Sequence, residues 1–418
     1  MFKVEEAYLM FAFRQIASLR YRYMHRRGFS ANYYPVPVCP GSPRCLFTGM
    51  VPYAITIAVA AAAAPSVVLR NAAAPGTVMP VAGLGTDFDF CENATASGNQ
   101  SFDAALLWLQ LGGRRFDGAL SYGCDRGVGE AMRASGVNRS DVFLVSKIGP
   151  GGLPLPLGYN ETLQQAAQIL AELNDTYIDL LLVHEPFSYW PDPSAAARAP
   201  STDPACNLTN PKYSTSGCRL STWQAMVELW RAGKARSIGV SNYNSSHVDE
   251  IAAAGLPLPA VNQIQFSPHH GPTHAPCTCG HSTSRPTPDA CGNSTAEVNE
   301  SCSALLSYLA AHGIVANGYS PFEGKADGGS LLTEPALLAI AAAHPGVSPS
   351  QVVLNWQWQR HGVVVNPTAT TEEYQRLNLD FVDGFALSDA EAAQLDAWPQ
   401  NPPPSATTTG RKPPPRRT

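Results

Sequence analysis

The sequence predicts a (β/α)8 TIM barrel over residues 72–396. Three observations predict it. Eight short apolar runs recur between residues 78 and 366. Segments with apolar residues at helical spacing separate them. Most runs end on polar or ionisable residues, and in such a barrel those strand ends form the active-site mouth. A Cys-rich insertion at about 270–302 accounts for much of the length beyond the usual ~250 residues. The competing open doubly wound sheet would carry G-x-G-x-x-G after its first strand. Here Gly83 and Gly85 are followed by Phe88 where the third glycine belongs.

The elements are expected in this order. Val78–Thr86 is the first strand, ending in a Gly-rich turn. Phe102–Leu111 is a helix stopped by Gly112 and Gly113. Arg115–Ala119 is the second strand, with Asp117 at its end and Tyr122 in the loop beyond. Val142–Ser146 is the third and ends on Lys147. A Gly/Pro loop leads to a helix capped by Asn160. Ile178–His184 is the fourth strand. Ser221 and Gln224 read as a capping box for the next helix. Ala235–Asn242 and Ala260–Ser267 are strands five and six. A helix through Leu305 and Leu309 ends at Gly313, and strand seven runs from Gly313 to Pro321. Ser348, with Pro349 at the first helical position, opens a helix to about Arg360. Gly362–Asn366 is strand eight, and Ser388 with Glu391 opens the last helix. Residues 397–418 are Pro-rich and read as a disordered tail.

The 44% hydrophobic content supports a sizeable core. A net charge of −5, with no basic stripe in 72–400, gives no footprint for nucleic acid.

The first 70 residues differ. Residues 1–45 are basic, and Leu46–Leu69 carries no charge. That run is long enough to span a membrane. It is read as a signal-anchor or signal segment (46–70), with an Ala-rich plastid transit region or a mispredicted start as the alternative. The positive flank would leave the rest lumenal or extracellular; plastid or cytoplasm is the alternative location. Two features favour the lumen. Nine Asn residues lie in N-x-Ser/Thr sequons: Asn93, Asn99, Asn138, Asn160, Asn174, Asn207, Asn244, Asn293 and Asn299. Eight Cys follow the apolar run, an even count that suits disulfides in an oxidising compartment. Cys277, Cys279 and His281 match no standard zinc spacing, so no metal is expected.

At a barrel mouth Asp117, Tyr122, Lys147 and His184 would meet. A phenol has a pKa of about 10. An ammonium beside it lowers that value. Lys147, kept charged by Asp117, would do this for Tyr122. Tyr122 could then protonate a developing alkoxide. A neutral His184 could orient the carbonyl. The set lacks a hydride source, which implies a nicotinamide cofactor. Ser241, Asn242 and Gln263 could hold its carboxamide, and Tyr319 could stack on its ring.

The chain resembles the aldo-keto reductases over 78–396. The motifs are GLGT (83–86), FDGALSYG (116–123), VSK (145–147), IDLLLVH (178–184), GKARSIGVSN (233–242), AVNQIQFSP (260–268) and GYSP (318–321), in the family's order. The resemblance implies a catalytic tetrad of Asp117, Tyr122, Lys147 and His184. It implies reduction of an aldehyde or ketone to an alcohol by NADPH, in a monomeric barrel. It also assigns Gly85, Thr86, Ser320, Thr368 and Asn378 to cofactor contacts. Asp87 and Glu185 join Tyr122 and His184 around the substrate.

Three positions depart from the family. Glu185 stands where Trp usually follows the histidine, and Asp87 where an aromatic usually sits. Both make the pocket less apolar. After strand eight the usual Lys and Arg for the adenosine 2′-phosphate are Thr368 and Tyr374, with Arg376 nearby as a substitute. That predicts relaxed or NADH-leaning cofactor use. The rival reading from another class is a barrel that binds cofactor without turnover and acts as a regulatory or interaction subunit.

Overall fold

The computed structural model describes residues 65–399, except 73–75, 88–99, 151–155, 187–200, 207–215, 275–276, 278–299, 324–330 and 383–384. The basic region 1–45, the apolar run up to residue 64, the tail from residue 400 and most of the Cys-rich insertion lie outside the described residues; the first residues of the expected tail are ordered instead, with Trp398 buried and its Nε1 donating to Glu334 Oε2 (3.0 Å). No helix among the described residues is long and apolar enough to cross a membrane.

The expected first strand is two elements. Ser66–Val68 (β1) pairs antiparallel with Val78–Pro80 (β2), Val67 opposite Met79. The chain then turns, and only Leu84–Gly85 (β3) joins the main sheet. The last residues of the apolar run are therefore hairpin, and the fold begins ahead of residue 72. Leu69 and Met79 pack on Phe143, Leu180, Val261 and Val364, which open their strands. The hairpin thus plugs the N-terminal end of the barrel and leaves the opposite end for chemistry.

The main sheet has eight strands, all parallel. After β3 come Arg115–Asp117 (β4), Phe143–Ile148 (β5), Leu180–Val183 (β6) and Ile238–Ser241 (β7). Val261–Gln265 (β8), Val315–Tyr319 (β9) and Val364–Asn366 (β10) complete it. A bridge between Ala82 and Val365 closes the ring. Gly83 N donates to Val365 O (3.0 Å) and Gly85 N to Pro367 O (3.0 Å) across the same seam.

Arg115 also ties that seam. Its buried guanidinium donates to Val81 O (2.8 Å) and Val365 O (2.7 Å). Burial lowers its pKa to about 10, against the opposing pull of Asp117. Gly83 makes room for it, since a Cβ there would lie 2.7 Å from the guanidinium carbon.

Strand burial alternates between two partners, as a two-faced buried sheet requires. Leu180 and Leu182 face the barrel interior cluster, while Leu181 and Val183 belong to the layer under the helices. That outer layer holds Trp108, Trp223 and Trp356, each fully buried.

Several helix starts differ from expectation. The helix expected to begin at Asn160 runs Tyr159–Leu173 with Gly158 as its cap. Ser221 lies inside the helix Ser216–Arg231 and hydrogen-bonds Asp203 instead of capping. A tertiary carboxylate won over the local capping pattern. The boxes at Ser348 with Gln351 and at Ser388 with Glu391 are formed. The helix from Pro349 ends at Asn355 and continues as a π turn, Trp356–Arg360. Helices Ser245–Ala253, Pro335–Ala343 and Glu372–Leu379 add to the elements expected.

One sequon is not a surface site. Asn244 is 2% exposed, and its Oδ1 accepts from His247 N (2.9 Å) as the cap of Ser245–Ala253. Asn138, Asn160 and Asn174 are exposed, and the other five sequon residues lie outside the described residues. Cys206 pairs with Cys218, and Cys277 with Cys302. Cys124 is also disulfide-bonded. The Cys277 pairing takes it out of the sulfur and imidazole set near His281. Among the described residues no group of three or more His, Cys, Asp or Glu is placed to hold a metal.

Candidate active site

The C-terminal strand ends bring the four expected residues together. Asp117 closes β4, Lys147 lies near the end of β5, and His184 follows β6. Tyr122 sits in a single 3₁₀ turn, Leu120–Tyr122, closed by Gly123 at φ 67°. Only a residue tolerant of the left-handed region closes such a turn without strain.

Lys147 Nζ donates to Asp117 Oδ1 (2.6 Å) and to Gly118 O (2.8 Å). It lies 5.1 Å from the centroid of the Tyr122 ring. Tyr122 Oη and His184 Nε2 are 3.4 Å apart, with the rings edge to face. A carbonyl oxygen can therefore meet both groups at once.

Asp117 is saturated. Its Oδ2 accepts from Gln263 Nε2 (2.8 Å), Asn366 Nδ2 (3.1 Å) and, at the limit of hydrogen-bond length, Asn317 Nδ2 (3.5 Å). The ion pair is 1% and 4% exposed, so neither charge has water to fall back on.

Burial sets the protonation states. It pushes His184 well below its ordinary pKa, with help from Lys147, so the ring is neutral. It also pushes the Tyr122 phenol well above 10, and Asp87, Asp117, Glu185 and Asp125 add to the rise. The sequence predicts the opposite direction for Tyr122. The physical reason is first that burial strips the phenolate of water, and second that nearby carboxylates, Asp87 and Asp117 foremost, oppose a further negative charge.

The expected cofactor residues form a contiguous floor. Ser241 Oγ donates to Gln263 O (3.0 Å). Asn242 Nδ2 donates to His184 O (3.1 Å), and Tyr319 Oη donates to Asn242 Oδ1 (3.0 Å). The Tyr319 ring is thereby fixed and partly exposed beside the tetrad. Thr86 is buried, and its Oγ1 donates to Asp117 O (3.3 Å). Ser320 follows Tyr319 with φ 48°. A Cβ on Gly85 would lie 2.8 Å from Thr368 Oγ1, which places the two edges together. Asn378 is 2% exposed within Glu372–Leu379. Asp87 is exposed, whereas Glu185 is 8% exposed with Oε2 buried and unpaired among the described residues.

This donor set suits a nicotinamide. It offers amide and hydroxyl groups for a carboxamide and one flat phenol for a ring. The residues expected to face a 2′-phosphate carry no charge, and both Thr368 and Tyr374 are exposed. Arg376 is held by Glu372 (2.7 Å) on the same helix.

The model of the Aldo/keto reductase family matches residues 83–278. Morphine 6-dehydrogenase of Pseudomonas putida is 31% identical over 330 residues, covering 77% of this chain and 88% of that protein. The chain belongs to the aldo-keto reductase family. It is an oxidoreductase. Glyoxal reductase of Bacillus subtilis is 29% identical over 77% of this chain and 90% of its own. The solved structures support the fold. An aldo-keto reductase from a Medee basin deep-sea metagenome library has a TM-score of 0.58 at 24% identity, covering 81% of this chain and 96% of its own. A Bombyx mori aldo-keto reductase in complex with NADP has a TM-score of 0.58 at 22% identity, covering 81% and 94%.

This aldo-keto reductase also has site neighbours that sequence reasoning passed over. Asp125 is buried, accepts from Ser146 Oγ (3.0 Å), and is pushed by burial up to about 7. A Cβ on Gly118 would lie 2.7 Å from its Oδ1, so that glycine lets the carboxyl approach the backbone behind Lys147. At the mouth, Glu323 accepts from Ser267 Oγ (2.9 Å) and meets His269 Nδ1 (2.6 Å), whose other nitrogen faces Glu334 (3.2 Å). The only sequence signal for this network was the paired histidines 269 and 270 after strand six.

Proposed function

We propose that this protein reduces an aldehyde or ketone to the alcohol, with Tyr122 as the general acid. The observation that carries the reading is the Tyr122–His184 pair, 3.4 Å apart, beside the buried Lys147–Asp117 ion pair. A bound nicotinamide, NADPH or NADH, would supply the hydride. Ser241, Asn242 and Gln263 would orient its carboxamide, and Tyr319 would carry its ring. The neutral His184 holds the carbonyl oxygen by a hydrogen bond. Tyr122 Oη gives its proton to that oxygen as negative charge develops. Lys147, fixed by Asp117, stabilises the phenolate left behind. Turnover of an aldehyde by the native protein, absent after Tyr122→Phe, tests this. Cofactor binding without turnover of any aldehyde would favour a silent regulatory barrel.

The cofactor preference follows from the uncharged 2′-phosphate positions. Wild-type protein is expected to bind NADPH and NADH with similar strength in a fluorescence titration. Thr368→Lys restores one charge-assisted bond, worth about 1.5–3 kcal/mol. It should tighten NADPH by about tenfold or more and leave NADH unchanged. A wild type that already prefers NADPH strongly would refute the idea.

The placement in the secretory pathway, anchored or released by the apolar segment, is part of the same proposal. Exposed Asn138, Asn160 and Asn174 support it. A glycosidase should shift the mobility of protein taken from its own host; no shift, with free thiols, would move it to plastid or cytosol.

A further inference from the structure

Two residues of the turn after β9 lie in the left-handed region without being glycine: Ser320 at φ 48° and Glu323 at φ 59°. The turn is closed by Glu323 N donating to Ser320 O (3.1 Å). Such a shape is unfavourable for a residue with a side chain and persists where the surroundings impose it. Here the Glu323 side chain ties it down. That side chain is wholly buried, and its Oε1 accepts from Ser267 Oγ (2.9 Å) and from His269 Nδ1 (2.6 Å). The His269 ring also reaches a second carboxylate, with Nε2 3.2 Å from Glu334 Oε1. A carboxylate only accepts, so both contacts are hydrogen bonds when both ring nitrogens carry protons. Glu334 precedes the helix Pro335–Ala343, and its Oε2 accepts from Trp398 Nε1 (3.0 Å). His269 therefore ties the turn after β9 to the loop after β8 and to the start of that helix. Burial opposes a charge on His269, but the bond to Glu323 and the charges of Glu323 and Glu334 outweigh it and raise the ring above its ordinary pKa of 6.5. Also near are His270, 3.9 Å from Glu323 Oε1, and His274, whose own charging His269 opposes.

We propose that His269 and Glu323 are positioning residues for the cofactor: the ring, held between Glu323 and Glu334, fixes the Ser320–Glu323 turn and so sets Tyr319 and Ser320 in the shape that receives the nicotinamide nucleotide. This rests on the reductase reading above, which puts both of those residues against the cofactor. Tyr319 Oη is already held by Asn242 (3.0 Å), so the backbone beyond it is what remains to be fixed. Loss of a ring proton breaks one of the two carboxylate bonds. The sign follows from the raised imidazole. The clip is closed below its pKa and opens as pH rises through it. Cofactor affinity should fall over the same range. The proton-transfer groups are held by separate bonds, so the rate at saturation should not follow.

The test is a fluorescence titration of the full chain with NADH and with NADPH at about pH 6.5 and about pH 9, on the two sides of a raised imidazole pKa. His269→Gln has no second nitrogen with which to bridge the carboxylates. It should weaken binding by about tenfold at the lower pH, the size of one charge-assisted hydrogen bond. At the higher pH, where the wild-type ring is neutral too, it should come within about twofold of wild type. Glu323→Gln, which keeps an acceptor for Ser267 and loses the charge, should behave like His269→Gln. In both variants kcat at saturating cofactor and aldehyde should stay within about twofold of wild type. Thermal unfolding reports that the variants are folded. His269→Gln binding as tightly as wild type at the lower pH would overturn the assignment and leave the reductase reading standing. Equal weakening at both pH values would do the same, since that is the mark of a merely structural role. A folded wild type that binds neither nucleotide would overturn both.

Discussion

Tyr122→Phe should lower kcat for aldehyde reduction by about 10²–10⁴-fold, the usual contribution of a positioned general acid. Cofactor affinity should stay within about twofold of wild type, because the phenyl ring keeps its edge contact with His184 and its place 5.1 Å from Lys147. Only the O–H is lost. The pH profile gives a second reading. The phenol of the free protein is raised well above 10, so the group stays protonated and able to donate across the neutral and mildly alkaline range. kcat/KM reports the free enzyme. It should show no loss attributable to the phenol at about pH 8–9. A Tyr122→Phe variant with near wild-type kcat would end the general-acid assignment, which rests on the phenol lying 3.4 Å from His184 Nε2.

Asp117→Ala should be the most destabilising single change at the site. It removes the acceptor for Lys147, Gln263, Asn366 and Asn317, and leaves an ammonium 1% exposed with no counter-charge. Breaking a buried pair from one side costs about 3–5 kcal/mol. In a domain of this size that is a fall in Tm of roughly 4–7 °C. Adding Lys147→Met should recover part of the loss, because the unpaired charge then disappears. Thermal unfolding of the three variants measures this. A single-variant loss below about 1 kcal/mol would mean that water reaches the pair, contrary to its burial.

The four residues were legible because each lies at a strand end or in the short loop beyond it, and that is a local feature. IDLLLVH shows its apolar run and its terminal histidine in one glance. The bonds on Asp117 were not legible. Asn317 and Asn366 sit 200 and 249 residues away and meet it only because the barrel closes. Asp125 was missed for a related reason. Its pattern is that of an ordinary acidic first helical turn, and only the approach over Gly118 makes it a buried neighbour of the site. Local patterns also misled where a distant partner competed. Ser221 satisfies a capping rule on paper and bonds Asp203 in the fold. Val78–Thr86 reads as one apolar strand, yet β1 captures its first half as a hairpin.

The sequence by itself determined the family, the order of the barrel elements and the four residues at its mouth. Those depend on periodicity and on residue type at strand ends, which are properties of short windows. Tertiary structure decided the protonation states and the partners. The Tyr122 phenol is raised rather than lowered because the fold buries it, with carboxyl groups nearby adding to the rise. The Glu185 carboxyl is raised well above the carboxylate range because the fold buries it, which its place in the sequence does not show. Desolvation and net local charge are sums over everything folded around a group, and no stretch of sequence contains that sum.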